Sequence, residues 1–360
     1  MVLATKNTNV EIEGRKLSLS NLEKVLYPEA GFTKGQLIDY YVRIAPVLLP
    51  HLKGRPLTMK RYPNGVTGEF FYEKNCPSHR PEWVKTVAVW SEGNNRYMHY
   101  CLIEDLPSLV WAANLADIEL HTSLSLGKEI ACPTFLAFDL DPGAPADIVQ
   151  CCQVGLWIRD IFQHLGLQSF AKTSGSKGLQ VYVPLNTAVT YDDTKAFAHT
   201  LARALEKIYP QQVVSDMRKT LRVGKVLVDW SQNDQHKTTI CVYSLRAKEH
   251  PTASTPVRWN EVEGCLKKKE ASALVFQSSQ VLERAERHGD LFAEVLSKKQ
   301  KLPSLEKLIE ACVALAERSA KVEEASGSGG IDLAAASGRP VRLRPKERAA
   351  TSARARTRKR

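Results

Sequence analysis

The chain has 360 residues, enough for one large domain or two smaller ones with a sizeable buried core. Its 43% hydrophobic and 25% charged residues are ordinary for a globular protein, no apolar stretch approaches a membrane span, and the N-terminus lacks a signal-peptide core, so a cytoplasmic protein without membrane contact is expected. Arg339 to Arg360 hold ten Lys/Arg against one Glu, a net of +9, which leaves about +2 of the whole chain's +11 for the rest, so any nucleic-acid groove in the body is a local patch.

In chain order, residues 1–20 read as a loose start followed by a short strand or turn, and Asn21 to Pro28 as a short amphipathic turn. Thr33 and Gln36 form a capping-box pattern, which predicts a helix to about Leu49 with Leu37, Tyr40, Tyr41, Ile44 and Leu48 on one face. Leu57 to Tyr62 reads as a strand, Asn64-Gly65 as a turn, and Phe70-Phe71-Tyr72 opens the return strand. Residues 83–103 hold two or three short strands around the loop Ser91 to Asn95. A helix follows from Pro107 to about Ala116, then an extended segment from Ile118 to His121.

The stretch Phe135 to Pro142 is a short apolar run ending in two acids, the pattern of a strand buried on both faces. Helices are predicted over Asp147 to Leu165, with Gly166 as C-cap, and over Asp192 to Ile208. Between them lie an extended Phe170 to Lys172, a tight loop Ser174 to Gly178 and a strand Leu179 to Pro184. Val226 to Asp229 is another apolar strand ending in an acid, and Thr238 to Tyr243 a further strand. Residues 277–323 are helical in two or three pieces. Ser326 to Gly330 reads as a flexible linker, and 331–360 as a disordered basic tail, with one mixed α/β body at 1–325. The eight cysteines are scattered without a Cys-x-x-Cys pair, which fits free thiols rather than a disulfide framework. A zinc site drawn from Cys76, His79, His99 and Cys101 matches no standard spacing.

Asp139 and Asp141 point to the same side of their strand, and two adjacent carboxylates are most readily neutralised by a divalent metal; otherwise they begin a solvated turn. With Asp229 they supply the oxygen-only shell that phosphoryl chemistry asks of two ions. Ser174-Gly-Ser-Lys-Gly178 has the make-up of a phosphate cradle or of an ordinary hairpin turn, but not Walker A spacing. Arg222, Lys225, Gln232 and Arg246 would line one groove near Asp229 or be solvated surface, and His121 could equally be a satisfied core histidine.

Leu-Ala-Phe-Asp-Leu-Asp-Pro-Gly143, Thr-Ser-Gly-Ser-Lys-Gly178 and Val-Asp-Trp-Ser-Gln-Asn233 occur in that order, together with Lys-Val-Leu-Tyr-Pro28, Thr-Met-Lys-Arg-Tyr-Pro63, Ile-Glu-Leu-His121 and Tyr-Ser-Leu-Arg246. Over residues 15–300 this resembles the polymerase domain of bacterial ligase D, the end-joining enzyme, which is similar to the archaeo-eukaryotic primases. The resemblance implies a mixed α/β fold with central sheets flanked by helices and a small N-terminal lobe. It implies two divalent ions, Mn²⁺ or Mg²⁺, on Asp139, Asp141 and Asp229. Ser174, Ser176, Lys177, Gly178, Arg222 and Gln232 would hold the incoming NTP or dNTP, ribonucleotides preferred, with Lys60, His121 and Arg246. Lys24 and Lys34 would bind a 5′-phosphate across a gapped duplex; Lys34 sits at a helix start, which favours an anion. Two of Phe70, Phe71 and Tyr72 would stack on the template: alignment from Glu73-Lys74 picks the last two, identity the first two.

The implied function is template-dependent nucleotide addition at DNA ends during non-homologous end joining, in the cytoplasm at the nucleoid, with Ku and a DNA ligase as partners. The sequence holds no Lys-x-Asp-Gly ligase motif, so the chain is a stand-alone polymerase or an N-terminal piece of a larger enzyme. One competing reading is a phosphatase with Asp139 as nucleophile and Asp141 as acid/base, against which Gly143 counts, since that chemistry wants a small β-branched residue there. Another is a non-catalytic DNA-end-binding module.

Overall fold

Side chains alternate along the strand Phe135–Pro142, and both faces of its apolar part are covered. In the computed structural model, which describes residues 7–326 with side chains to Lys321, Phe135 and Ala137 belong to one hydrophobic core, and Leu136, Phe138 and Leu140 to another. The strand is thus the wall between the two cores, which is why its sequence is continuously apolar up to its acids.

Among the described residues the strand is central in a six-stranded sheet. The order is Val213–Val214, Val226–Asp229, Phe135–Pro142, Leu179–Pro184, Phe170–Thr173 and Pro256–Val257. All neighbours run antiparallel except the first pair. Helices Ile148–His164 and Tyr191–Ile208, each opened by a capping box, bring Val154, Ile158, Phe162, Phe197 and Leu201 to this sheet's core. Gly166 ends the first at φ +73°, as its place in the sequence predicts. A second sheet runs in the order Thr239–Ile240, Asp117–Thr122, Leu57–Arg61, Arg96–Cys101 and Thr86–Ser91, with Phe71–Glu73 also paired to Leu57–Arg61. Helix Lys34–Leu52 covers it with Leu37, Tyr40, Tyr41, Ile44 and Leu48, the face read from the sequence.

Several expectations need correction. The helix from Lys34 passes Pro46 and Pro50 and ends at Leu52, because buried His51 and Leu52 hold its last turn. The strand expected over Thr238 to Tyr243 is only Thr239–Ile240; the chain leaves the sheet and Tyr243 takes φ +65°. The short strand or turn expected within residues 1–20 is a two-stranded hairpin, Asn7–Ile12 and Arg15–Ser20, that buries Leu17 and Leu19, while the expected loose start at 1–6 lies outside the described residues. The helix Trp259–Lys268 was not foreseen. Cys76 and Cys101, expected as free thiols, are joined in a disulfide 25 residues apart, a pairing that tertiary approach and not local spacing sets up: Cys76 N–H donates to the His99 carbonyl at 2.6 Å. The chain divides into a unit Met1–Ala316 and a second, Glu317–Arg360. The last helix, Leu305–Ser326, includes Ser326; the rest of the expected linker and the basic tail lie outside the described residues.

One side chain completes the first sheet. Val226–Asp229 pairs with the central strand only as far as Asp139, so Ala137 has no strand neighbour on that edge. Fully buried Asn233 takes its place: its Oδ1 accepts from Ala137 N–H at 3.0 Å and its Nδ2 donates to the Ala137 carbonyl at 2.8 Å. Asn233→Ala strands both backbone groups in the core and is expected to cost about 1–3 kcal/mol. Urea unfolding checks this, and an unchanged midpoint would contradict it.

Candidate active site

Asp139 lies directly across from Asp229 on the neighbouring strand, and Asp141 is two residues further on the same face. On the other side Asp139 faces Gln180, which in turn faces Lys172, so one row of the sheet reads Asp229, Asp139, Gln180, Lys172. Gln180 donates to Asp139 and accepts from Lys172 Nζ at 2.5 Å. Burial first, then the charge of Asp141, pushes the Asp139 carboxyl up to about 7. Burial and Asp229 also raise Asp141, opposed by Lys177, Arg222 and Arg246. The Asp229 carboxylate accepts from Ser231 N–H at 2.9 Å, Ser231 Oγ at 2.6 Å and Gln232 Nε2 at 2.9 Å.

Asp139 Oδ1 is buried and has no hydrogen-bond partner. An orphaned carboxylate oxygen beside two further carboxylates is a hard, oxygen-only donor set, which fits Mg²⁺ or Mn²⁺ and not zinc. Among the described residues no three His, Cys, Asp or Glu side chains yet converge on one point. Asp229 is engaged by its own turn.

Cations meet this row from two loops. Gly143 N–H donates to the Lys225 carbonyl at 2.8 Å and Gly224 N–H to the Gly143 carbonyl at 3.0 Å, which lays the loop 219–225 against the strand end. A Cβ on Gly143 would stand 1.9 Å from the Arg222 carbonyl oxygen, so this position cannot hold the β-branched residue that an aspartate-nucleophile phosphatase wants. Arg222 is fixed by donating to the Met217 carbonyl at 2.6 Å. Lys225 turns away to the Pro210 carbonyl at 2.6 Å, against its expected place in the groove. In the loop Ser174 to Gly178, Ser174 Oγ accepts from Ser176 N–H at 3.3 Å and Gly178 N–H at 3.1 Å, so those two amides brace the loop. Lys177 is exposed at its tip and acts on Asp141. Gly175 takes φ +68° and lies where a Cβ would meet the Ala253 carbonyl carbon at 2.6 Å.

The second sheet supplies Lys60 and His121. Both reach buried Glu119, with Lys60 Nζ at 3.4 Å and His121 Nε2 at 3.0 Å. Arg246 joins them at 3.3 Å and also donates to the Ser174 carbonyl at 2.7 Å. His121 is thus satisfied by Glu119 and keeps 14% of its side chain exposed. Along 70–72 the aromatic rings alternate. Lys60 Nζ lies 4.4 Å from the Phe70 ring centroid and 5.5 Å from that of Tyr72, whereas Arg61 lies 5.1 Å from that of Phe71. Phe70 and Tyr72 thus face Lys60, and Phe71 the opposite side. All three are exposed.

Lys34 N–H donates to the Lys24 carbonyl at 2.8 Å, which sets the two lysines side by side. Lys24 is exposed, but Lys34 is buried, its Nζ donating to the Ser20 carbonyl at 2.7 Å and Ser20 Oγ at 3.2 Å. Burial, with Lys24 and Arg61 nearby, pulls Lys34 down to about 8.

Sequence reasoning missed Gln180, Lys172 and Glu119. Glu119 carried a signal, since residues i and i+2 share a strand face and His121 is two positions on. Gln180 and Lys172 are tied to Asp139 by register alone. A consequence follows for the metal-free protein. A carboxyl raised to about 7 favours the fold below its unfolded value near 4, and loses that contribution as pH climbs through about 7. In EDTA, wild-type thermal stability should therefore fall between pH 5 and pH 8, and Asp139→Asn should flatten the fall and be the more stable protein at pH 8. Parallel pH profiles for the two proteins would refute the assignment.

Comparison with known proteins identifies the family of the chain. A family model described as "LigD, primase-polymerase domain" matches residues 33–292. The multifunctional non-homologous end joining protein LigD of Mycolicibacterium smegmatis is 39% identical over 281 residues, covering 77% of this chain and 36% of that protein. The bifunctional LigD of Bacillus subtilis is 29% identical over 289 residues, covering 80% of this chain and 45% of that protein. The chain thus spans less than half the length of these relatives. The solved polymerase domain of Mycobacterium tuberculosis ligase D in complex with DNA superposes with a TM-score of 0.72 at 36% identity, covering 79% of this chain and 99% of that one. With a family model over residues 33–292 and a relative 39% identical across 77% of its length, the chain belongs to the LigD primase-polymerase domain family.

Proposed function

We propose that this chain is a template-dependent nucleotidyltransferase that adds NTPs, ribonucleotides preferred, to DNA ends and gaps in non-homologous end joining. The observation that carries the reading is the acid row: Asp139 across from Asp229, with Asp141 beside them, an orphaned Asp139 oxygen, and Lys177, Arg222 and Arg246 acting on Asp141. Asp139, Asp141 and Asp229 would hold two divalent ions, Mn²⁺ or Mg²⁺, which when bound acidify the primer 3′-hydroxyl and offset the charge of the departing pyrophosphate. Lys177, Arg222 and Arg246 neutralise the triphosphate, which needs cations where the carboxylates would otherwise repel it. Ser174, Ser176 and Gly178 shape the loop that carries Lys177, while Gln232 steadies Asp229. Lys60 and His121 complete the nucleotide side. Two of Phe70, Phe71 and Tyr72 stack on the template, and Phe70 and Tyr72, which share the Lys60 face, are the pair placed to do so together. Lys24 and Lys34 receive a downstream 5′-phosphate, and Ku and a DNA ligase are the partners at a break.

Primer extension on a gapped duplex with Mn²⁺ and each NTP tests the reading. Asp139→Asn and Asp229→Ala should each lower extension at least about 100-fold while leaving DNA affinity within threefold. Extension within tenfold of wild type would refute the assignment of the acids.

The 5′-phosphate site has its own signature. Lys34 is charged below about 8 and neutral above it. The preference for a 5′-phosphate over a 5′-hydroxyl end should therefore be larger at pH 7 than at pH 9, at one fixed salt concentration. Lys34→Ala should reduce the preference and remove its pH dependence. A wild-type preference equal at both pH values would count against Lys34.

A further inference from the structure

Glu119 is 1% exposed and sits at the meeting point of three segments. Its strand pairs with Leu57–Arg61 in the register Lys60↔Glu119 and Thr58↔His121. Oε2 meets Lys60 Nζ at 3.4 Å and His121 Nε2 at 3.0 Å. Oε1 accepts from Ala247 N–H at 3.1 Å and lies 3.3 Å from Arg246 Nε, an ion pair whose N–H is not aligned for a hydrogen bond. Lys60, His121 and Arg246 remain 13%, 14% and 18% exposed in their side chains, so each is gripped from behind and open in front.

Two cations and an imidazole this close would repel or turn away without a buried counter-charge. Burial alone would raise the Glu119 carboxyl; the His121 hydrogen bond and the charges of Arg246 and Lys60 hold it well below the usual carboxylate range instead. Burial, then Arg246 and Lys60, lowers His121 despite Glu119, so the imidazole is neutral. An ionised carboxylate only accepts, which assigns the proton to His121 Nε2 and leaves Nδ1 an acceptor. The single negative charge offsets one of two positive charges and leaves one net positive charge for a ligand.

We infer that Glu119 is a positioning residue for nucleotide binding: it presets Lys60, His121 and Arg246 as one unit against the incoming triphosphate. This rests on the nucleotidyltransferase reading above. Nucleotide binding then finds three donors and acceptors already in place, rather than three side chains to be ordered.

The test uses Glu119→Gln, which keeps the shape and removes the charge, and Glu119→Asp, which keeps the charge. In Mn²⁺-dependent primer extension with GTP, Glu119→Gln should raise the GTP KM about tenfold or more, with kcat changed less than about threefold and DNA affinity unchanged. Glu119→Asp should recover part of the loss. A GTP KM within twofold of wild type for Glu119→Gln would overturn the inference, as would a fall in kcat alone. A second measurement does not depend on turnover or on the variant folding. Imidazole ¹⁵N NMR of the wild-type protein should show His121 as a single neutral Nε2–H tautomer; a tautomer mixture or an Nδ1–H form overturns the inference. Absence of GTP incorporation by the wild type would defeat the nucleotidyltransferase reading, and the tautomer would still decide whether Glu119 sets His121.

Discussion

Two like charges placed directly across neighbouring antiparallel strands repel at short range, and Asp139 and Asp229 are such a pair, with Asp141 adding a third. The surrounding structure answers that repulsion from every side. Behind Asp139, Gln180 relays the field of Lys172, an ammonium 1% exposed that burial pulls down to about 7. Lys172 also donates to the Ile240 carbonyl at 3.0 Å and to Ser254 Oγ at 2.7 Å, so all three of its N–H groups have acceptors. Ile240 belongs to the second sheet. Compensating the acids therefore fastens one sheet to the other.

The site lies where the sheets meet, and its two halves differ in kind. The first sheet contributes acids on short, paired strands; the second contributes cations gathered on one buried carboxylate. Arg246 belongs to both halves, holding the Ser174 carbonyl with Nη1 while its Nε faces Glu119. A change on either sheet is thereby felt at the loop Ser174 to Gly178 through one guanidinium.

Much of this was legible because it is local. The apolar run into Asp139 and Asp141, the Thr33–Gln36 capping box and the strand Leu179–Pro184 each follow from a few consecutive residues, and each stands where the pattern put it. The three acids were legible as strand ends, but not that Asp139 and Asp229 face one another, since register depends on two strands some ninety residues apart. Asn233 was visible in a motif but not as a surrogate strand neighbour. Lys172 looked like any lysine in an extended segment, and only the packing of the second sheet over it reveals its burial. The Cys76–Cys101 bond was misjudged for the same reason: spacing says nothing about which loops return to the same place. The aromatic run was ambiguous by alignment and is divided by strand alternation, with Phe71 on one face and Phe70 and Tyr72 on the other.

Gly143 gives the site its scale. With no side chain, it lets the backbone at Arg222 come closer to the strand end than any other residue would allow, since even a methyl group would overlap the Arg222 carbonyl oxygen at 1.9 Å. The hydrogen atom on that α-carbon is in effect a gauge block between the acid row and the guanidinium loop. A bulkier spacer would set Arg222 back as a whole, with its chemistry intact and its reach to the acids cut short. Coulomb attraction falls with distance, so a single methyl group two residues beyond Asp141 could detune the balance of charge on which the acids rely.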